Sequence, residues 1–194
     1  MCAIFVFLDY GGRLTRKARL NIIRVLGKAA EVRGTDASGI AYVKNGAIHI
    51  QKAPRPAHRM RWRIDPQARY IMGHTRMTTQ GSEVKNYNNH PFRGIMQTGT
   101  FALAHNGVLD NDISLRKSLH LSRTRIETDS YIAVQLIVQK GILNFDSLRY
   151  MAELLEGSFT ITVLGDDGSF YIVKGDNPFC LYFFPDCGLY LYAS

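Results

Sequence analysis

The second residue carries the most reactive chemistry in the chain. Cys2 follows Met1, and with Met1 removed it would present a thiol and a free α-amine on one residue. That pairs a nucleophile with its own proton acceptor, an arrangement only a chain end offers. An α-amine has an ordinary pKa of about 7.7–8.0, so near neutral pH part of it can take the thiol proton. The side chain of Cys2 is small, which is compatible with enzymatic removal of Met1. A Met-Cys start is ordinary on its own, and a free cysteine is more often a small buried hydrophobe. Weight comes from three polar groups further along: Arg76, the pair Asn106-Gly107, and Asp129. Singly, a surface ion pair, a turn and a helix cap would explain them. Their joint occurrence in this order, each where a strand or loop ends, is what points to a site.

The elements that must hold these residues can be read from patterning. Residues 4–8 form an apolar strand led by Cys2 and closed by a turn at Asp9 and Gly11-Gly12. Residues 14–31 read as a helix, with Leu20, Ile23, Val25 and Leu26 near one face. Residues 40–43 and 47–50 flank Asn45-Gly46, a strong hairpin signal. Residues 70–73 read as a strand running into the loop that carries Arg76, and 101–104 as a strand ending at Asn106. Short helices are expected over 113–121 and 148–155, and a longer one up to Gln139 with Asp129 capping its start. Four strands follow, over 159–164, 169–174, 179–184 and 189–192. Strand, helix, strands, helices, strands is the order of an α+β layered domain.

Composition bounds the rest. The 194 residues are 46% hydrophobic and 21% charged, enough for one domain with a buried core. Three cysteines, Cys2, Cys180 and Cys187, are too few and too odd in number for a disulfide framework, and they lack zinc spacing. A reducing cytoplasm fits best. No apolar run approaches a membrane span, and the apolar start lacks the basic flank of a signal peptide. The net charge of +8 favours acidic partners. Residues 52–69 hold Arg55, Arg59, Arg61, Arg63 and Arg69 around Trp62, the most basic segment. A nucleic-acid or nucleotide patch there is weighed against a solvated surface loop, and the loop is the favoured reading.

The whole chain resembles the class II glutamine amidotransferases, the N-terminal-nucleophile glutaminase domains. The matching stretches are Met1-Cys2-Ala3-Ile4, Arg33-Gly-Thr-Asp-Ala-Ser-Gly39, Gly73-His-Thr-Arg-Met-Thr-Thr-Gln-Gly81, Asn89-His-Pro-Phe92, Ala104-His-Asn-Gly107 and Glu127-Thr-Asp129. A weaker match covers Glu156-Gly-Ser-Phe159 and the close at Ser194. The resemblance implies a four-layer αββα sandwich. It implies that Cys2 attacks the side-chain carboxamide of L-glutamine, with Asn106 and Gly107 donating to the oxyanion and a γ-glutamyl thioester as intermediate. Arg76 would grip the substrate α-carboxylate and Asp129 its α-ammonium, with Thr79 and Gln80 adding hydrogen bonds. Arg33, Gly34 and Asp36 would hold the terminus and loop from behind. His74, His90 and His105 read as structural, because the N-terminal amine fills the base role. No cofactor and no metal are expected. Ala3 and Met77 stand where Gly and Trp or another larger residue are common in the family; the first is expected to narrow the backbone near the nucleophile and the second to change how the loop after His74 closes.

A single glutaminase domain over residues 1–194 is expected, with no room for an acceptor site, so ammonia would pass to a separate synthetase or transferase. Two other readings stand beside this one: a different N-terminal-nucleophile amide hydrolase, and a non-catalytic basic binding module. Arg76, Thr79, Gln80 and Asp129 favour free glutamine over other amides.

Overall fold

The computed structural model describes residues 2–194. The expected removal of Met1 lies outside the described residues. Ten strands and four helices follow one another as β1 (Ala3–Asp9), α1 (Arg16–Ala30), β2 (Ala37–Lys44), β3 (Ala47–Ala53), β4 (Tyr70–Arg76), β5 (Phe92–Met96), β6 (Gly99–Leu109), α2 (Asp112–Ser118), α3 (Tyr131–Lys140), α4 (Phe145–Leu154), β7 (Gly157–Gly165), β8 (Phe170–Lys174), β9 (Cys180–Phe184) and β10 (Leu189–Ala193). They build two antiparallel sheets. One has six strands in the order β3-β2-β4-β1-β10-β9, the other four in the order β5-β6-β7-β8.

Period-two alternation makes the layers. In β1, Phe5 and Phe7 join Ile23 of α1, Ile40, Trp62 and Ile71 in one buried cluster. Ile4 and Val6 point the other way and meet Met72, Ala102, Ala104 and Leu164, where the two sheets face each other. In β6 the partition repeats: Phe101 and Leu103 pack with Ile132, Leu136 and Met151 under α3 and α4. Three cores between four layers give the expected αββα sandwich. Each fully buried Phe or Ile of these clusters contributes roughly 1.5–3 kcal/mol of burial free energy.

Most expected elements fall where the patterning puts them, with differences at their ends. Helix α1 starts at Arg16 because the Thr15 hydroxyl accepts from Ala18 N. Helix α4 begins three residues earlier than the apolar pattern suggests, because Asn144 and Ser147 cap each other's backbone. Strand β6 runs straight through Asn106 to Leu109 where a turn was expected, and β5 pairs with it from Phe92 to Met96. Residues 52–69 hold only one short 3-10 turn, Ala57–Arg59. The expected cap at Asp129 is not made. Ser130 precedes α3 without a side-chain cap bond, and the Asp129 carboxylate instead accepts from Leu109 N at 2.8 Å.

Candidate active site

Strand pairing brings the reactive residues to one end of the sandwich. β1 and β4 run antiparallel with Ala3 opposite Thr75, so Cys2 and Arg76 sit at the same end of the six-stranded sheet. β2 lies on the other side of β4 with Ala37 opposite Arg76, which delivers residues 33–36 to the same place.

Cys2 is half-buried, and its thiol lies 3.5 Å from the Met77 carbonyl. Burial is the largest influence on that thiol and raises its pKa above the ordinary value; the Met77 backbone and the Arg76 charge pull the other way. The thiol is therefore neutral at pH 7 and needs a base to attack. Among the described residues no imidazole, carboxylate or amine hydrogen-bonds the sulfur.

The Arg33 side chain donates from Nε to the Cys2 carbonyl at 2.9 Å. Gly34 lies flat against the chain at Arg76 and Met77: a Cβ there would sit 2.4 Å from the Arg76 carbonyl carbon and from Met77 N, so no larger residue fits. Asp36 accepts from Thr78 N at 2.7 Å and donates its own N–H to the Arg76 carbonyl at 3.0 Å. These three residues fix the terminus and the loop after β4 to each other.

Arg76 is buried, with 3% of its surface exposed. One terminal nitrogen donates to Asn89 Oδ1 at 2.7 Å, the other to the carbonyls of Gln80 and Gly81 at 2.6 and 2.8 Å. No carboxylate lies within ion-pair distance among the described residues. Burying a cation among neutral acceptors alone is costly, and that cost lowers its pKa from the ordinary value. Thr79 and Gln80 are both exposed, and Gln80 reaches Arg76 only through its carbonyl. Thr78, which the motif reading passed over, has a buried hydroxyl with no hydrogen-bond partner.

The other sheet supplies the facing wall. Asn106 is buried on β6 opposite Thr160, and its Nδ2 donates to Ser194 Oγ at 3.2 Å. The same Ser194 oxygen accepts from Ile4 N at 2.9 Å. One hydroxyl thus ties the Asn106 amide to the strand that carries Cys2, and leaves Nδ2 a second N–H to donate. Asn177 Nδ2 holds the Asn106 carbonyl at 2.6 Å. Gly107 has φ +144, and a Cβ there would lie 1.9 Å from the Ser158 carbonyl oxygen. Only glycine permits that backbone. Asp129 is buried, accepts from Leu109 N and from Ser130 Oγ at 3.3 Å, and stands close enough to Cys2 and Arg76 to act on the charge of each.

Two supports were not apparent in the sequence motifs. Lys52 Nζ donates to the carbonyls of Asn89 and Pro91, so it braces the segment that orients Arg76. Burial is the main reason its pKa falls to about 8, and the Arg76 charge adds to the effect. The signal for Lys52 was its place in β3, in phase with the inward Ile48 and Ile50. For Ser194 the only signal was the weaker match at the close of the sequence. The three histidines form a buried stack behind the site. The His74 and His90 rings lie 4.2 Å apart, His74 Nε2 meets the His105 carbonyl at 3.1 Å, and His105 Nδ1 meets Ser130 Oγ at 2.8 Å. Burial holds all three neutral, with His74 down at about 3.

Known proteins similar to this chain share its fold. No family model matches the chain. It is 30% identical over 186 residues to a glutamine–fructose-6-phosphate aminotransferase (isomerizing) of Geobacillus kaustophilus, covering 92% of this chain and 30% of that one. It is 32% identical over 186 residues to the Bacillus subtilis enzyme of the same name, with the same coverage. The chain therefore spans about 30% of the length of these relatives. Among solved structures, the glutamine phosphoribosylpyrophosphate amidotransferase of B. subtilis superposes with a TM-score of 0.74 at 17% identity, over 99% of this chain and 41% of that one. A structure described as the allosteric regulatory enzyme of purine biosynthesis gives 0.78 at 20% identity, over 100% and 42%. These two likenesses establish the fold. The chain belongs to the class II glutamine amidotransferase domains, with the N-terminal-nucleophile sandwich.

Proposed function

We propose that this chain is a glutaminase domain or subunit that hydrolyses L-glutamine to glutamate and ammonia and supplies the ammonia to a separate synthetase or transferase. The observation that carries the reading is a buried Arg76 without a carboxylate partner beside a neutral Cys2 thiol. Glutamine would place its α-carboxylate on Arg76 and its α-ammonium toward Asp129, which leaves the side-chain carboxamide to reach Cys2.

The Cys2 sulfur adds to the carboxamide carbon as the α-amine takes the thiol proton. The oxyanion accepts from the free N–H of Asn106 Nδ2 and from Gly107 N–H. The ammonium returns its proton to the leaving nitrogen, the C–N bond breaks, and ammonia departs from a γ-glutamyl thioester. Water then adds to the thioester with the amine again as base, and glutamate leaves as the thiol is restored. Thr78 is a better placed ligand donor than Thr79, since its hydroxyl is buried and unpartnered. Residues 1–194 act as one domain in this reading. The three cysteines are free, which suits a reducing cytoplasm. No helix among the described residues is long and apolar enough to cross a membrane.

The test is release of glutamate and ammonia in equal amounts from L-glutamine, compared with N-acyl amino acids at equal concentration. Glutamine turnover that Cys2→Ala abolishes supports the reading. Preferential cleavage of the acyl amides would replace it with a different amide hydrolase.

A further inference from the structure

The basic segment that the catalytic reading leaves unused is built into a second concave site. Residues 60–64 run alongside the edge strand β3. Gln51 staples them there, donating to the Arg61 carbonyl at 2.8 Å and accepting from Arg63 N at 2.8 Å, while Tyr42 Oη donates to the Arg63 carbonyl at 3.3 Å. Trp62 and Ile64 are buried in the core beneath α1, and the alternation turns Arg61 and Arg63 outward. With Arg55 and Arg59 from the neighbouring turn, they line an open groove of about 670 Å³, within the range of small-ligand sites.

None of these four guanidinium groups has a hydrogen-bond or ion-pair partner among the described residues. The acids nearest in this part of the fold are already taken. Asp65 pairs with Lys44 at 2.7 Å and Glu31 with His58 at 3.0 Å. Lys52 also lines the groove, but its ammonium is turned inward to Asn89 and Pro91. Tyr42 and His49 stack on the groove wall with ring centroids 5.3 Å apart and planes 12° apart, and His49 is exposed.

We propose that this groove binds a nucleoside di- or triphosphate at a site separate from Cys2, with the phosphates on Arg55, Arg59, Arg61 and Arg63 and the base against His49. A single carboxylate satisfies one guanidinium fork. Four forks around one groove suit an anion with several charges and oxygens pointing several ways, which a di- or triphosphate supplies. The stacked rings supply a flat partner for an aromatic base. The cations converge on one concave groove instead of running on as a track, which favours a small molecule over a nucleic-acid backbone.

The experiment is isothermal titration of the full chain with ADP, inorganic tripolyphosphate and a single-stranded oligonucleotide, each at low and physiological salt. The expected result is micromolar binding of ADP and of tripolyphosphate, weakened by salt. Arg59→Glu with Arg63→Glu should cut both at least tenfold, and Arg59→Gln with Arg63→Gln less, while glutamine hydrolysis stays unchanged. His49→Ala should weaken ADP and spare tripolyphosphate. Failure of both small ligands to bind, binding that survives charge reversal, or binding of the oligonucleotide alone would overturn the proposal. None of the binding readouts requires Cys2 to be active, so their result stands apart from the glutaminase reading.

Discussion

Two regions of this molecule gather positive charge without matching carboxylates, and they do so in opposite ways. Arg76 is a single cation, 3% exposed, gripped by an amide and two carbonyls that come from the loop after β4 and from Asn89. The groove arginines are four cations in nine residues, all exposed, with Arg61 and Arg63 turned outward by the burial of Trp62 and Ile64 and by the Gln51 and Tyr42 bonds to their backbone. A buried, fully oriented guanidinium offers one anion a fixed geometry. An exposed cluster offers charge with adaptable side chains. The first suits selection of one amino acid and the second suits capture of a polyanion.

That contrast can be broken by substitution. Arg76→Lys should lower kcat/KM for glutamine on the order of 10³-fold, because a point charge replaces an oriented fork and leaves the Asn89, Gln80 and Gly81 acceptors unevenly satisfied. Steady-state kinetics in which Lys serves as well as Arg would remove Arg76 from substrate binding. Asn106→Ala should cost roughly 10²-fold in kcat with a smaller change in KM, as expected for a donor that acts on the oxyanion. Ser194→Ala should cost about tenfold in kcat, since it frees the Asn106 amide without removing it, and Ser194→Thr should restore part of the loss. Equal losses in KM and none in kcat would make Ser194 merely structural.

Acid should act on the folded state itself through the histidine stack. His74 titrates at about 3 in the fold and near 6.5 when unfolded, so unfolding takes up a proton below pH 6.5. Its contribution to stability is full above about pH 6.5 and falls by about 1.4 kcal/mol per unit as the pH drops toward 3, with His90 and His105 adding in the same direction. Urea midpoints should fall between pH 7 and pH 5, and less steeply in His90→Gln. A flat profile would mean the stack is charged or open to water. The smallest effect is expected in the groove: Arg59→Gln with Arg63→Gln should leave glutamine kinetics within about twofold.

The same contrast explains what could be read in advance. The groove arginines form a local run and were visible at once, but their convergence was not, because Gln51 and Tyr42 make it from another strand. Cys2, Arg76, Asn106 and Asp129 were legible as types at strand ends, and period two placed the strands that carry them. Their supports were not legible. Lys52, Asn177 and Ser194 act through contacts between residues 37 to 190 positions apart, which no local pattern encodes. Asp129 was misread as a helix cap because proximity in sequence to α3 suggested a partner that β6 supplies instead.

The central claim is that Cys2, as an N-terminal residue, is a glutamine-directed nucleophile. The most direct measurement is the intact and N-terminal peptide mass after incubation with 6-diazo-5-oxo-L-norleucine, a reactive glutamine mimic. The account predicts loss of Met1 and one adduct, located on Cys2, blocked by excess L-glutamine and absent in Cys2→Ala. Loss of Met1 with Cys2 unmodified, and glutamine left intact by the same sample, would contradict it.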